Sequence, residues 1–401
     1  METETVALII VLVVLAYGYI SGLPQRFNIS GPMVFMTIGI LLSPLGFSVV
    51  TEKLNAEVVQ IIAELALIIV LFSDASALQL KKLKLEWGIP VRLLFVGLPI
   101  TIVVAAFAAI VFFPHESTLY LIMMALILAP TDAALGKAVV TDEKVPEKIR
   151  SSINVESGLN DGIVFPILIT AVAMIVSGPD SSQGNDWMTF VAKQIAFGAI
   201  IGGSVGYLSA RLAAASDHKN WMVESYKNLI PIALALLAYF VAEHFEGNGF
   251  IAAFFAGLFV GNFSESLREH VETFAESEGE LLILISFLIF GTVFIPATIE
   301  YWSLNTLLFA LLSLTVFRMV PVAISLIGTK FDLPTVLFIG WFGPRGIASI
   351  LYVVIVIGQL GSINGHETVY AVITITVLLS IILHGLSAQP FARMYGKTHK
   401  D

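Results

Sequence analysis

The sequence predicts an all-α polytopic membrane protein of about thirteen transmembrane helices. Three observations lead there. Of the 401 residues, 57% are hydrophobic. Only 13% are charged, against roughly 25% in a soluble domain. Apolar runs recur from end to end, so 1–401 reads as a single transmembrane domain. A bilayer crossing takes about 20 residues. Runs of that kind lie near 5–22, 31–48, 57–78, 88–112, 117–138, 151–177, 187–212, 228–245, 248–263, 277–296, 304–328, 334–358 and 366–391.

The first run is a spanning helix and not a signal peptide. Glu2 and Glu4 precede it where Lys or Arg would be needed, and no small-residue cleavage site follows. Spans eight and nine are separated only by Glu246, Gly247 and Asn248. Loop charge then orients the chain. With the N-terminus outside, the inner loops hold Arg26; Lys81, Lys82, Lys84 and Arg92; Lys137, Lys144, Lys148 and Arg150; Arg211, Lys219 and Lys227; Arg268; Lys330; and Arg393, Lys397 and Lys400. That leaves four of the 21 basic residues: Lys53 in an outer loop, Lys193 near the outer end of span seven, and Arg318 and Arg345 inside predicted helices. Such a bias places the C-terminus in the cytoplasm and requires an odd number of spans.

Two spans carry helix breakers beside a charge. Span five reads LILAPTDAALGKA, and Pro130 cannot donate to the carbonyl of Leu126, so the helix opens there. Span twelve reads IGWFGPRGIASI, with Gly340, Gly343, Pro344, Arg345 and Gly346 together. Unpaired backbone at membrane depth is tolerated only inside protein or against a cavity. The two spans are seven apart and run in opposite directions. Crossed, unwound helices at the centre of an inverted repeat are the expectation.

Span six, SSINVESGLNDGIVFPILI, brings more acid to the same depth. Asp161 lies roughly 15 Å along it from the cytoplasmic end, the middle of the bilayer. Ser157 and Asp161 share one face, and Glu156 and Asn160 a neighbouring one. An ionised group at the bilayer centre costs roughly 2.5–3.5 kcal/mol on insertion scales. Such groups need pairing or use. Asp132, Glu156, Asp161, Arg318 and Arg345 sum to one net negative charge. Two ion pairs would leave one carboxylate for a hard monovalent cation, with Thr131 and Ser157 adding oxygens. The same carboxylates suit protons, because burial and like charge both raise a carboxylate pKa. Cation and proton would then compete at one site, which is enough for exchange. On an ideal helix Asp132, five residues from Lys137, would be shallower than Asp161; unwinding at Pro130 lengthens that segment.

Other chemistry finds no footing. Cysteine is absent, which excludes disulfides, thiol catalysis and Cys metal sites. The seven histidines show no metal-ligand spacing, so no transition metal is expected. No nucleophile elbow, P-loop or dinucleotide fingerprint occurs, and neither an enzyme activity nor a cofactor follows. The net charge of −9 comes without a basic stripe, which argues against nucleic acid. Asp74 and Glu64 read as packing or interfacial polar groups, and Glu272, Glu276, Glu278 and Glu280 as a solvated acidic helix start. His384, on an apolar helix, reads as a packing histidine.

With these residues in place, the chain resembles Na+/H+ antiporters of the NhaP and eukaryotic Na+/H+ exchanger branch of the monovalent cation:proton antiporters. The resemblance rests on LFSDASALQLKKL in span three, APTDAA in span five, NVESGLNDG in span six, GFIAAFFAGLFVGN in span nine and GPRGIAS in span twelve. It implies a homodimer, with a mobile core from about 88–177 and 304–391 and an interface part from about 5–78 and 187–296. It implies cation ligation by Asp132, Asp161, Ser157 and the Thr131 main chain, with Glu156 acting directly or through water. Arg318 would pair with Glu156, and Arg345 would steady the unwound span twelve. Related electrogenic antiporters carry Asp where Asn160 stands, so Asn160 implies electroneutral exchange of one cation for one proton. The cargo would be Na+ or Li+, with K+ as the alternative; a channel or sensor gated by the buried acids is the reading from another class. The sequence ends about ten residues after the last span, with no long regulatory tail, so a prokaryotic plasma membrane is the expected location.

Overall fold

A computed structural model describes residues 3–50, 56–81, 88–132, 135–136, 139, 142, 144–177, 186–361 and 364–398. Among them every regular element is a helix. In chain order the main ones are α1 (Thr3–Ile20), α2 (Gly31–Leu42), α3 (Ala56–Ala77), α4 (Gly88–Phe112), α5 (Thr118–Ile127), α6 (Glu147–Ser177) and α7 (Asp186–His218). They continue with α8 (Ile230–His244), α9 (Gly249–Phe263), α10 (Glu265–Tyr301), α11 (Leu304–Ser325), α12 (Leu333–Trp341), α13 (Ile347–Leu360) and α14 (Glu367–Thr398). Seven of these, α3, α4, α6, α7, α10, α11 and α14, are long and apolar enough to cross a membrane. The shorter apolar helices α1, α2, α5, α8, α9 and α13 occupy the remaining predicted intervals.

Local chemistry sets the ends and irregularities. Between α8 and α9 the chain reverses through Glu246, whose φ is +58°. Asn248 caps α9 by accepting from the Ile251 amide at 3.1 Å, and the Glu243 carboxylate accepts from the Gly249 amide at 2.8 Å. Two of the donors orphaned at a helix start are thereby satisfied. A capping box of Ser303 and Thr306 opens α11. Within α4 and α10, π-turns at Leu93–Gly97 and Phe290–Phe294 each come just before a proline, Pro99 and Pro296. A proline nitrogen cannot close the usual i→i−4 bond, and a wider turn absorbs the defect.

The chain divides into two compact units. One comprises 1–63, 92–154 and 282–401; the other comprises 64–91 and 155–281. In the first, residues 347–356 of α13 and 369–377 of α14 are buried on every side, as a helix segment that is apolar all round must be in a protein interior. On α4, by contrast, Phe95, Val103, Phe107 and Val111 are each more than 60% exposed, a face suited to lipid. In the second unit, α7 packs on α9 through Gly202 and Gly206, one turn apart. A Cβ at Gly202 would lie 2.7 Å from Ala252 Cα, so the backbones approach as closely as membrane helices with small residues allow.

Candidate functional site

The first unit contains both helix breaks. α5 ends at Ile127, with Leu128 as its C-cap, three residues before the proline that sequence reasoning placed at the opening. Proline excludes the residue before it from the helical region, so the disruption begins upstream. The Ala129 amide turns back to the Leu126 carbonyl at 3.3 Å, tightening the last turn around the acceptor that Pro130 cannot serve. α12 ends at Trp341, and α13 begins at Ile347; between them 342–346 is non-helical.

Unwinding orphans backbone donors and acceptors, and their partners can be traced. The Asp132 amide donates to the Pro344 carbonyl at 2.8 Å. Asp132 Oδ2 accepts from the Ile347 amide at 2.6 Å, which caps α13. Arg345 donates through Nη1 to the Pro130 carbonyl at 2.9 Å and to the Ala129 carbonyl. The Ser349 hydroxyl donates to the Ile127 carbonyl at 2.8 Å. Each break thus satisfies the other. Asp132 belongs to span five but ends the exposure of span twelve. Arg345 belongs to span twelve but covers the carbonyls of span five, where sequence reasoning had it steadying its own segment.

The glycines of GPRG follow from the same crowding. A Cβ at Gly343 would lie 2.9 Å from Arg318 Cζ and 3.0 Å from Thr131 Cγ2. One at Gly346 would lie 2.9 Å from Asp132 Cγ and 2.6 Å from Leu135 Cδ1. Four predicted site residues, Thr131, Asp132, Arg318 and Arg345, therefore come together here. Their exposures are 2%, 5%, 1% and 0%.

The other four, Glu156, Ser157, Asn160 and Asp161, lie on α6 in the second unit and are at most 3% exposed. Gly158, Gly162 and Phe165 form a stripe on α6 that packs within that unit. Gly158 lies against Leu78, Gly162 against the ring of Phe254, and Phe165 edge-on to Phe250 at 5.1 Å. At about 100° per residue, Glu156 and Asn160 point away from that stripe, and Ser157 and Asp161 flank it.

Sequence reasoning missed the support on α14. Ser380, His384 and Ser387 lie at i, i+4 and i+7, one helical face. The Arg345 amide donates to Ser380 Oγ at 2.7 Å, and Trp341 Nε1 donates to Ser387 Oγ at 2.9 Å. His384 Nε2 lies 3.0 Å from the Trp341 carbonyl. The polar spacing was visible in the sequence, but nothing local tied it to the break in span twelve.

The model of the transmembrane sodium/hydrogen exchanger family matches residues 9–394. The chain is 27% identical over 365 residues to a protein named K(+)/H(+) antiporter NhaP from Alkalimonas amylolytica, covering 90% of this chain and 62% of that one. It is 30% identical over 318 residues to a Na(+)/H(+) antiporter of Schizosaccharomyces pombe, covering 71% of this chain and 66% of that one. The chain thus spans somewhat less than two thirds of these curated relatives' length. In fold it is similar to the sodium proton antiporter MjNhaP1 from Methanocaldococcus jannaschii at pH 8, with a TM-score of 0.78 and 19% identity over 98% of this chain and 99% of that one. With a family match running through both breaks and the acidic span, the chain belongs to the transmembrane sodium/hydrogen exchanger family.

Proposed function

We propose that this protein is a secondary active transporter that exchanges Na+ or Li+ for H+, one for one, by alternating access. Cation and proton compete for Asp132 and Asp161. Ser157 and the Thr131 main chain add oxygen ligands, and Glu156 acts directly or through water. Asn160 contributes an amide that cannot titrate. The observation that carries the reading is the pair of breaks fastened to one another beside a buried carboxylate. Broken helix at membrane depth is tolerated where it is buried in protein or lines a cavity, and paired breaks beside a buried charge are the arrangement in which transporters bind ions. Family membership and the buried acids of α6 support it further. The charge bias of the loops supports an N-terminus outside and a C-terminus in the cytoplasm of a plasma membrane, and the resemblance supports a homodimer.

K+ in place of Na+ is the second reading. It is favoured by the name of the Alkalimonas amylolytica relative. One assay separates the two. Proteoliposomes with a preset pH gradient are challenged with Na+, Li+ or K+, for the unmodified chain and for Asp161→Asn. Collapse of the gradient by Na+ or Li+, insensitive to a voltage clamp and lost in Asp161→Asn, is the expected result. A response to K+ alone selects the second reading. No cation-driven proton flux, or full activity in Asp161→Asn, overturns exchange at this site.

A further inference from the structure

The unwound segment of span twelve has two ends, and α14 holds both. At its start the Trp341 carbonyl faces His384 Nε2 at 3.0 Å. Near its end the Arg345 amide donates to Ser380 Oγ at 2.7 Å. Ser380 Oγ lies 3.3 Å from His384 Nδ1, and the Ser380 carbonyl lies 3.1 Å from the same nitrogen. Ser380 is 0% and His384 1% exposed, so both are shielded from bulk solvent.

We infer that Ser380 and His384 are positioning residues which close a hydrogen-bond relay across the break and fix the course of 342–346. Both ring nitrogens face a carbonyl oxygen, Nε2 that of Trp341 and Nδ1 that of Ser380, so a neutral imidazole serves only one of them; the tautomer protonated at Nε2 is the one that also gives the Ser380 hydroxyl an acceptor. In that tautomer Nε2 donates to Trp341. Nδ1 then accepts the Ser380 hydroxyl proton, and the hydroxyl oxygen accepts from the Arg345 amide. The relay runs from Arg345 N–H through Ser380 and His384 to Trp341 C=O. The indole of Trp341 adds a second tether through Ser387 and stacks at a tilt on the His384 ring, with centroids 4.8 Å apart.

What the relay positions is the crossing itself. Arg345, fixed at its amide, directs its guanidinium to the Ala129 and Pro130 carbonyls. Pro344, one residue before, receives the Asp132 amide. Loss of the relay therefore relaxes the backbone on which Asp132 and Thr131 are set. Outer-shell partners of this kind typically change ion affinity by about 10-fold or more.

The inference rests on the exchange reading, and the test separates the two. Cation-driven proton flux is measured in proteoliposomes for the unmodified chain, His384→Leu, His384→Gln and Ser380→Ala. Hydrogen exchange of the 341–347 backbone is followed in parallel in detergent. His384→Leu and Ser380→Ala are expected to raise the apparent KM for the cation about 10-fold with a smaller change in maximal rate. They are also expected to speed exchange of the Arg345 amide. His384→Gln keeps a donor for Trp341 and an acceptor for Ser380, and is expected to restore most of both. An unmodified chain with no cation-driven flux defeats the exchange reading, while the amide data still decide the relay. Unchanged KM and unchanged amide protection in both deletions overturn the relay, as does His384→Gln behaving like His384→Leu. Should His384→Leu fail to fold, Ser380→Ala, which removes one oxygen, carries the same comparison.

Discussion

At Gly346 one added methyl group would meet the carboxyl carbon of Asp132 at 2.9 Å and Leu135 Cδ1 at 2.6 Å. Gly346→Ala is therefore expected to push the capping carboxylate off the Ile347 amide. Overpacking of this kind costs about 1–3 kcal/mol, and the exchange rate is expected to fall much further than the folded fraction. Gly361→Ala supplies the contrast. That residue ends α13 with φ +77° and has open space around its absent Cβ. Alanine there is strained by its backbone alone, so stability drops by about 1 kcal/mol and exchange persists. Initial rates in proteoliposomes and thermal unfolding in detergent, measured on both variants, check the pair. Equal losses of rate would show that the crowding at Gly346 is not specific to the site.

Among the elements, the connection between α7 and α8 is held by charge. Lys227 bridges Asp217 at 3.0 Å and Glu224 at 3.2 Å, while Glu224 also meets His270 of α10 at 3.0 Å. The Lys227 contact holds Asp217 below its ordinary 3.8 against the opposing effect of burial, with Ser266 adding to the lowering. Lys227 and His270 hold Glu224 below 4.5, and hydrogen bonds to Asp217 and Glu224 hold Lys227 above 10.5. The signs fix the window. The two carboxylates contribute stability that is fully present above their ordinary values and is lost as pH falls through the lowered ones. Lys227 contributes stability present below 10.5 and lost as pH rises through its raised value. Hydrogen exchange of 217–227 is thus expected to lose protection below about pH 4, once intrinsic rates are corrected, and Lys227→Met is expected to remove most of that acid-labile part. An acid loss of the same size in Lys227→Met and in the unmodified chain would place the controlling charge outside the Lys227 bridges.

For the molecule as a whole, local signals were enough for the helices and not for their fastening. Apolar runs located the apolar helices but not the charged first turns of α10 at Glu265–Phe274, and proline and glycine located both breaks, because these effects act within a few residues of their cause. The burial of Asp132, Glu156, Asp161, Arg318 and Arg345 was legible from their positions inside apolar runs. Their partners were not. The Asp132 contact to Ile347 spans 215 residues, as does the Arg345 contact to Pro130. Periodicity carries no information at that separation. Ser349 and Ser380 were overlooked for the same reason, since a hydroxyl on an apolar helix looks alike whether it bonds its own turn or a distant carbonyl. The exact start of the first break was misplaced by three residues because proline acts on the residue before it as well as on the acceptor behind it.

The mutual capping of the two breaks makes them one mechanical part. The amide and carboxylate of Asp132 grip 344 and 347, while Arg345 and Ser349 grip 127, 129 and 130 in return. Neither half can shift alone without stranding buried donors. Ser349→Ala, which removes one of these tethers, is expected to slow turnover and to speed hydrogen exchange on both sides of the crossing, at 128–132 and at 345–349; faster exchange on one side alone would mean that the breaks move separately. Heredity should register the same coupling: second-site revertants of a lesion in APTDAA are expected in GPRGIAS, two stretches far apart on the chain that mutate as if they were neighbours.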